Sequence, residues 1–175
     1  MNLKKFYPFE NYTLTTKLSG EEVLKRIEQN IVPKQKFSSR LFGRNTPKPY
    51  EGVISENAFT ISRIIDYRNS FLPVITGNIS SYPGQTQVNI KMRPFRFVLF
   101  FMGFWIGSLG LVCVGILLYG SFHLKQLSAN GFSPVSLIPF FMFTAGYLML
   151  TLSFKYESKK SKSFLAALLE EQKNY

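Results

Sequence analysis

Two long runs of apolar residues dominate the second half of the chain. The first, 97–120, has 24 residues without a charged side chain, and the second, 135–154, has 20. At a rise of 1.5 Å per residue, helices of these lengths extend about 36 and 30 Å, enough to cross a hydrocarbon core of ~30 Å. Turn-forming pairs, Asn130-Gly131 and Ser133-Pro134, fall in the link 121–134. The pattern predicts a hairpin of two transmembrane helices.

The basic residues near these runs predict the orientation of the hairpin. Seven Lys or Arg side chains lie close to the outer ends of the two runs, whereas the link holds one, Lys125. Basic residues accumulate on the cytoplasmic side of membrane spans. We therefore expect both termini in the cytoplasm and the link 121–134 as an external loop. The seven are Lys91, Arg93, Arg96, Lys155, Lys159, Lys160 and Lys162.

In the first 96 residues, short segments with strand and helix patterns predict an α+β domain. Alternation over Tyr12–Leu18 predicts a strand, and Ser19-Gly-Glu-Glu22 has capping-box spacing before apolar residues at helical intervals. Pro33 is expected to end that helix. The basic segment Lys34–Pro49 is interpreted as a loop, with Phe37–Phe42 as a candidate short strand.

Four further segments have the composition of strands separated by turns. The turn signals are Glu56-Asn57, Arg68-Asn69 and Pro83-Gly84. The predicted order is β-α-β-β-β-β, an antiparallel meander over residues 1–96. This order resembles the helix-grip arrangement of lipid-binding START-type domains and, in part, pleckstrin-homology-like barrels, a likeness that names no activity. The predicted strands are Tyr50–Ile54, Ala58–Ile65, Phe71–Ser80 and Thr86–Arg93.

The C-terminal residues 155–175 include a predicted amphipathic helix, Glu157–Gln172. Its apolar stripe consists of Phe164, Leu165, Leu168 and Leu169. Two placements are open. The helix either packs on the cytoplasmic domain, which makes the hairpin an insertion into that domain, or lies on the lipid surface.

The composition narrows the classes of function. The formal net charge of +11 suits nucleic-acid binding or a surface that faces anionic lipid, and the apolar runs favour the second. The single cysteine, Cys113, excludes an intrachain disulfide and a cysteine-rich metal site. Phosphate-binding-loop, GxSxG and HExxH motifs are absent from the sequence, and the one histidine, His123, falls in the link. We expect no enzymatic activity, no catalytic residue, no metal and no cofactor.

Two groups of residues are candidates for binding or packing. Five basic residues in or beside the predicted strands are candidates for holding an anionic ligand or a lipid headgroup; the alternative is a basic surface that only sets orientation. They are Arg63, Arg68, Lys91, Arg93 and Arg96. Small residues would let helices approach closely, either within the hairpin or between two copies of the chain. They are Gly103, Gly107, Gly110, Ala145 and Gly146.

Several short segments resemble a family of small bacterial proteins that have two spans and no assigned function. The resemblance implies a bacterial inner-membrane protein, and it implies no site. It covers most of the chain. The segments are Tyr50-Glu-Gly, Phe59-Thr-Ile-Ser-Arg, Tyr67-Arg-Asn-Ser-Phe-Leu-Pro, Gly77 and Phe154-Lys-Tyr-Glu-Ser-Lys-Lys.

The sequence favours a membrane-anchored, non-enzymatic binding or sensing module whose partners are the bilayer and an anionic lipid, a small ligand or another protein. Nucleic acid is not an expected partner. One alternative is an effector that oligomerises through its hairpin and perturbs the membrane. Another is a lipid-modifying enzyme, which would need a catalytic group that the sequence does not show. The spans contain no Asp, Glu, Lys or Arg, which argues against an ion pump or proton relay.

Overall fold

The computed structural model describes residues 7–33, 48–67, 69–122 and 134–170. The chain forms two compact units. The first, here called the sheet unit, combines Met1–Phe95 with Ser153–Tyr175, and the second, the hairpin unit, is Arg96–Leu152. The predicted α+β class is confirmed, with a six-stranded mixed sheet and three α-helices among the described residues.

The sheet has the strand order β1-β6-β5-β4-β3-β2. Neighbouring strands are antiparallel except β2 and β3, which are parallel. β2 was not predicted, because three residues are too few to show an alternating pattern. The candidate strand Phe37–Phe42 lies outside the described residues. The strands are β1 (Glu10–Thr16), β2 (Ile31–Pro33), β3 (Tyr50–Ser55), β4 (Ala58–Arg63), β5 (Pro73–Tyr82) and β6 (Gln85–Pro94).

Helix α1, Gly20–Gln29, begins where its capping sequence predicts. The Ser19 hydroxyl accepts a hydrogen bond from the Glu22 N–H at 3.2 Å, which satisfies one of the free amides of the first turn. The helix ends before Pro33, contrary to expectation. Asn30 caps its last turn, donating from its backbone N–H to the Ile27 carbonyl at 2.9 Å, and the chain turns directly into β2.

The sharp turns follow the sequence signals. Glu56-Asn57 connects β3 to β4, and Pro83-Gly84 connects β5 to β6. Gly84 has φ +80°, the left-handed conformation that the third position of a type II turn requires. Asn69 accepts a hydrogen bond from the Phe71 N–H at 3.0 Å, a local turn of the kind that asparagine favours. Arg68 lies outside the described residues.

The second predicted span and the predicted C-terminal helix are one continuous helix. Helix α3 extends over Ile138–Leu168 and follows a short 3₁₀ turn at Pro134–Leu137. Its last part enters the core of the sheet unit, where Phe154, Leu165 and Leu169 have no exposed surface. The described part of this segment, 155–170, therefore packs against strands and α1 rather than lies free on a lipid surface, because burial of these side chains needs the sheet.

The hairpin unit contains α2, Arg96–Phe122, and the first part of α3. Both helices are long and apolar enough to cross a membrane, and only 11% of the most apolar window of each is buried. A core helix of a soluble protein would be mostly buried, so this exposure is compatible with insertion into lipid. The predicted spans 97–120 and 135–154 correspond to these two helices. Residues 123–133 of the link lie outside the described residues.

Gly77 on β5 provides a test of the sheet packing. It pairs with Phe59 of β4, and the Phe59 ring lies so close over Gly77 that a Cβ atom there would overlap it. Gly77→Ala should therefore lower the free energy of unfolding by about 1–3 kcal/mol, the usual cost of overpacking a core. Thermal and denaturant unfolding of the full chain in a neutral detergent, followed by circular dichroism, measures this change.

The matched control is Asn78→Ala, on the exposed side of the same strand. It should change the free energy of unfolding by less than about 0.5 kcal/mol. The double variant Gly77→Ala/Phe59→Leu should lose less free energy of unfolding than the two single variants together, since the smaller leucine side chain leaves room for the new methyl group. An unchanged midpoint for Gly77→Ala would contradict the packing described here.

Candidate functional site

A buried carboxylate connects α3 to the sheet. Glu157 has no exposed surface, and its Oε2 accepts a hydrogen bond from Arg63 Nη1 at 2.9 Å. The Tyr67 hydroxyl donates to Oε1, and Lys160 Nζ lies 3.8 Å from the same oxygen. An ionised carboxylate is costly to bury unless it is paired and hydrogen-bonded, and these three groups provide that compensation.

Helical periodicity brings the α3 side of this cluster together. Glu157, Lys160, Ser161 and Phe164 recur at intervals of three, four and seven residues, so they share one face of the helix. From the sheet, Tyr50 donates a hydrogen bond to Ser161 Oγ at 3.2 Å and stacks on Phe164 with ring centroids 4.7 Å apart. Burial raises the pKa of Tyr50, so its hydroxyl remains a donor at neutral pH.

Beside this cluster is an open groove of about 580 Å³, a volume within the usual range for ligand pockets. We call it the α3 groove. The sheet side is formed by Pro49, Tyr50 and Arg63, and the helix side by Tyr156, Lys159, Lys160, Ser163 and Phe164. Every one of these residues belongs to the sheet unit.

The α3 groove is apolar in most of its lining but carries excess positive charge. Arg63, Lys159 and Lys160 contribute three cations, and the adjacent Glu157 contributes one anion. Lys160 Nζ lies 4.0 Å from the centroid of the Tyr156 ring, a cation–π contact that holds the ammonium over the groove wall. Within the described residues, the Lys159 ammonium makes no hydrogen bond or ion pair. The arrangement suits an anionic group attached to an apolar body.

The structure does not bring the five predicted basic residues together. Arg63 lines the α3 groove. Lys91 and Arg93 occupy exposed positions of β6 that alternate with buried Met92, and Met92 accepts a hydrogen bond at Sδ from Ser158 of α3 at 3.1 Å. Lys91 and Arg93 are therefore on the face of the sheet opposite α3. Arg96 is the first residue of α2, and Arg68 lies outside the described residues.

The predicted small residues divide into two sets. A Cβ added at Gly110 would lie 3.4 Å from the Phe143 ring, and one at Gly146 would lie 3.9 Å from Ile106, so these glycines face the other helix of the hairpin. A Cβ at Gly103 or Gly107 would meet no heavy atom of the described residues within 4 Å. Ala145 is exposed.

Sequence reasoning missed the centre of this site. It assigned Lys159 and Lys160 only to orientation, and it did not single out Glu157. One signal was present. Glu157 is the lone acid in the basic run 155–162, and it is followed by Lys160, Ser161 and Phe164 on the same helix face. A single acid on the face that also carries a large aromatic residue indicates a buried partner for a cation elsewhere.

No group of three or more His, Cys, Asp or Glu side chains that could hold a metal occurs within the described ranges. No protein-family model, curated protein or solved structure matches this chain.

Removal of Arg63 and removal of Glu157 should lower the free energy of unfolding by unequal amounts. Arg63→Met leaves a carboxylate with no exposed surface, whereas Glu157→Leu leaves a guanidinium on a side chain that is 29% exposed and can be hydrated. Arg63→Met should therefore lower the free energy of unfolding by about 3–5 kcal/mol, and Glu157→Leu by less. Denaturant unfolding of each variant in neutral detergent provides the measurement.

Glu170→Gln is the control for this comparison. It removes the partner of Arg26 in an ion pair of 2.7 Å whose acid is 64% exposed. A surface pair of this kind contributes at most about 1 kcal/mol. The double variant Arg63→Met/Glu157→Leu should be more stable than Arg63→Met alone. Equal costs for the two single variants would show that Glu157 is not the buried member of the pair.

Tyr67 should make a pH-dependent contribution to the stability of the same cluster. Burial of its hydroxyl and the hydrogen bond to Glu157 raise the pKa of Tyr67 above its ordinary value of 10.0. The protonated phenol therefore stabilises the folded state fully below pH ~10, and this contribution is lost as the pH rises through the folded-state pKa. Tyr67→Phe should cost about 0.5–1.5 kcal/mol at neutral pH, because half of the Tyr67 side chain is exposed and water competes for its hydrogen bond to the carboxylate.

Denaturant unfolding of the wild type and Tyr67→Phe at several pH values tests this expectation. The difference between the two proteins should be constant near neutral pH and should shrink above pH ~10, where the phenol of the unfolded chain ionises. A difference that grows with pH would contradict the hydrogen bond from Tyr67 to Glu157.

Proposed function

We propose that this chain is a two-pass membrane protein whose sheet unit is a non-enzymatic binding module for an organic anion. The observation that carries the proposal is the α3 groove, which combines three cations with aromatic walls in one open site. We place the protein in a bacterial inner membrane with both termini in the cytoplasm. Support for this placement comes from the distribution of basic residues and from the resemblance to bacterial two-span proteins.

The buried cluster supports a binding role because it keeps the groove in shape without a ligand. Glu157 holds the Arg63 side chain in place, and Tyr50 is fixed by Ser161 and Phe164. A site whose side chains are already held loses less conformational entropy when a ligand binds. The Lys159 side chain is exposed and that of Lys160 is 39% exposed, so an anion can reach both.

We further infer that the sheet unit is a helix-grip variant into which the hairpin is inserted. The supporting features are that α1 connects β1 to β2 and that the last part of α3 follows the final strand and packs into the core. Helix-grip domains are used for lipid ligands, but this likeness concerns the fold and does not by itself name a ligand.

A second candidate is an effector that associates through its hairpin. It is favoured by the open surface at Gly103 and Gly107, where an added Cβ meets no described atom within 4 Å. Close approach of another helix would suit such a surface. The binding module is the stronger proposal, since it accounts for the buried polar cluster as well as the basic residues.

Phenyl phosphate is a direct probe of the proposed site, because it joins an anion to an aromatic ring and is soluble in water. The full chain in a neutral detergent should show a higher midpoint of thermal unfolding as phenyl phosphate is added. At ten times the dissociation constant the stabilisation is about 1.4 kcal/mol. Benzyl alcohol, which has the ring without the charge, should give a much smaller shift.

The variant Lys159→Gln/Lys160→Gln should remove the response to phenyl phosphate. The matched control Lys91→Gln/Arg93→Gln also removes two positive charges, but from the opposite face of the sheet. That control should respond like the wild type. An equal response of both variants, or no response of the wild type, would refute the α3 groove as an anion site.

A further inference from the structure

We infer that the anion taken by the α3 groove is the phosphate of an anionic phospholipid in the membrane that holds the chain. This inference depends on the proposed binding function and adds the class of ligand and its source. It is carried by three features: the position of Lys159 and Lys160 after the apolar segment, the amphipathic lining of the groove, and the unequal engagement of its cations.

The position follows from the length of α3. The hairpin unit ends at the exposed residue Leu152, and Lys159 and Lys160 lie seven and eight residues later on the same helix. At 1.5 Å per residue their backbone positions are about 10–12 Å farther along the helix axis. The headgroup layer extends about 5–8 Å beyond the hydrocarbon core on each side. Side chains on a helix point back toward its N-terminus, and the Lys160 ammonium lies over the ring of Tyr156, four residues nearer the span. Long lysine side chains that bend back in this way bring both ammonium groups to the level of the lipid phosphates.

The aromatic side chains suit the same depth. Tyr156 follows Phe154 by two residues and is exposed, as expected of a tyrosine at the membrane–water interface. Tyr50 and Phe164 stack to form the inner wall of the groove. A phospholipid headgroup presents a phosphate next to the carbon atoms of glycerol, so the cations and the apolar wall meet different parts of one ligand. The acyl chains remain in the bilayer.

The three cations are not equally available. Arg63 Nη1 is engaged by Glu157 at 2.9 Å, Lys160 makes a longer ion pair of 3.8 Å with the same carboxylate, and Lys159 pairs with none of the described side chains. Lys159 is therefore the most available of the three cations and Lys160 the next, so these two lysines bind the phosphate. Ammonium groups on flexible stems are suited to a phosphate that moves laterally with its lipid.

A soluble organic phosphate would satisfy the same chemistry, so the experiment compares the two sources. The full chain is placed in nanodiscs of phosphatidylcholine alone or of phosphatidylcholine mixed with phosphatidylglycerol. A third sample has phosphatidylcholine discs with added glycerol 3-phosphate. In each sample, acetylation of individual lysines is followed by mass spectrometry, because a bound phosphate protects the ammonium that it contacts.

In discs with phosphatidylglycerol, acetylation of Lys159 and Lys160 should slow about tenfold if the lipid is present at ten times its dissociation constant. Lys91, on the opposite face of the sheet, should slow much less. The midpoint of thermal unfolding should rise in the same discs. That rise should be lost in Lys159→Gln/Lys160→Gln and kept in Lys91→Gln/Arg93→Gln.

The contrary outcomes separate the two proposals. Protection by glycerol 3-phosphate without protection by phosphatidylglycerol would overturn the lipid source and leave the binding module intact. Equal protection of Lys91 and Lys159 would reduce the effect to general attraction between a basic surface and anionic lipid, which overturns the inference. A response to phenyl phosphate without protection by either phosphate overturns it as well. Failure of all three probes refutes the binding module itself.

Discussion

The burial of one carboxylate determines how α3 packs within the sheet unit. Glu157 has no exposed surface, so its charge must be compensated by groups that the rest of the fold places within hydrogen-bonding distance. Arg63 comes from the end of β4, Tyr67 from the segment after it, and Lys160 from the next turn of α3. These partners restrict both the rotation of α3 about its axis and its position along the sheet, because a small shift would leave the carboxylate unpaired.

The apolar contacts of α3 follow from that restriction. Phe154 lies before Glu157 and Leu165 and Leu169 lie after it, and the core encloses all three. The end of the helix is held separately, since Arg26 of α1 donates to the Leu168 carbonyl at 3.1 Å. A polar anchor between apolar contacts gives the helix one favourable placement. That placement leaves Lys159 and Lys160 beside the aromatic pair Tyr50 and Phe164 and so creates the groove.

The sequence predicted those parts of the structure that depend on local chemistry. The α1 start at Ser19, the turn at Pro83-Gly84 and the two apolar helices each follow from residues close together in the chain. The continuity of α3 was missed because the change from an apolar run to an amphipathic stripe resembles a boundary. The site was missed for another reason. The ion pair joins residues 94 positions apart, and no local pattern in the sequence indicates which strand will face α3.

We propose that the basic run after the second apolar segment has two roles, orientation in the membrane and anion binding, which a count of charges cannot separate. For orientation, Lys155, Lys159, Lys160 and Lys162 are equivalent. Helical periodicity divides them, since Lys155 pairs with Glu10 of β1 at 2.9 Å and Lys162 lies 4.6 Å from the ring centroid of Tyr12 on the same strand. Those two lysines hold α3 against one edge of the sheet. Lys159 and Lys160 line the α3 groove instead, so only these two of the four lysines are placed to serve the proposed anion site.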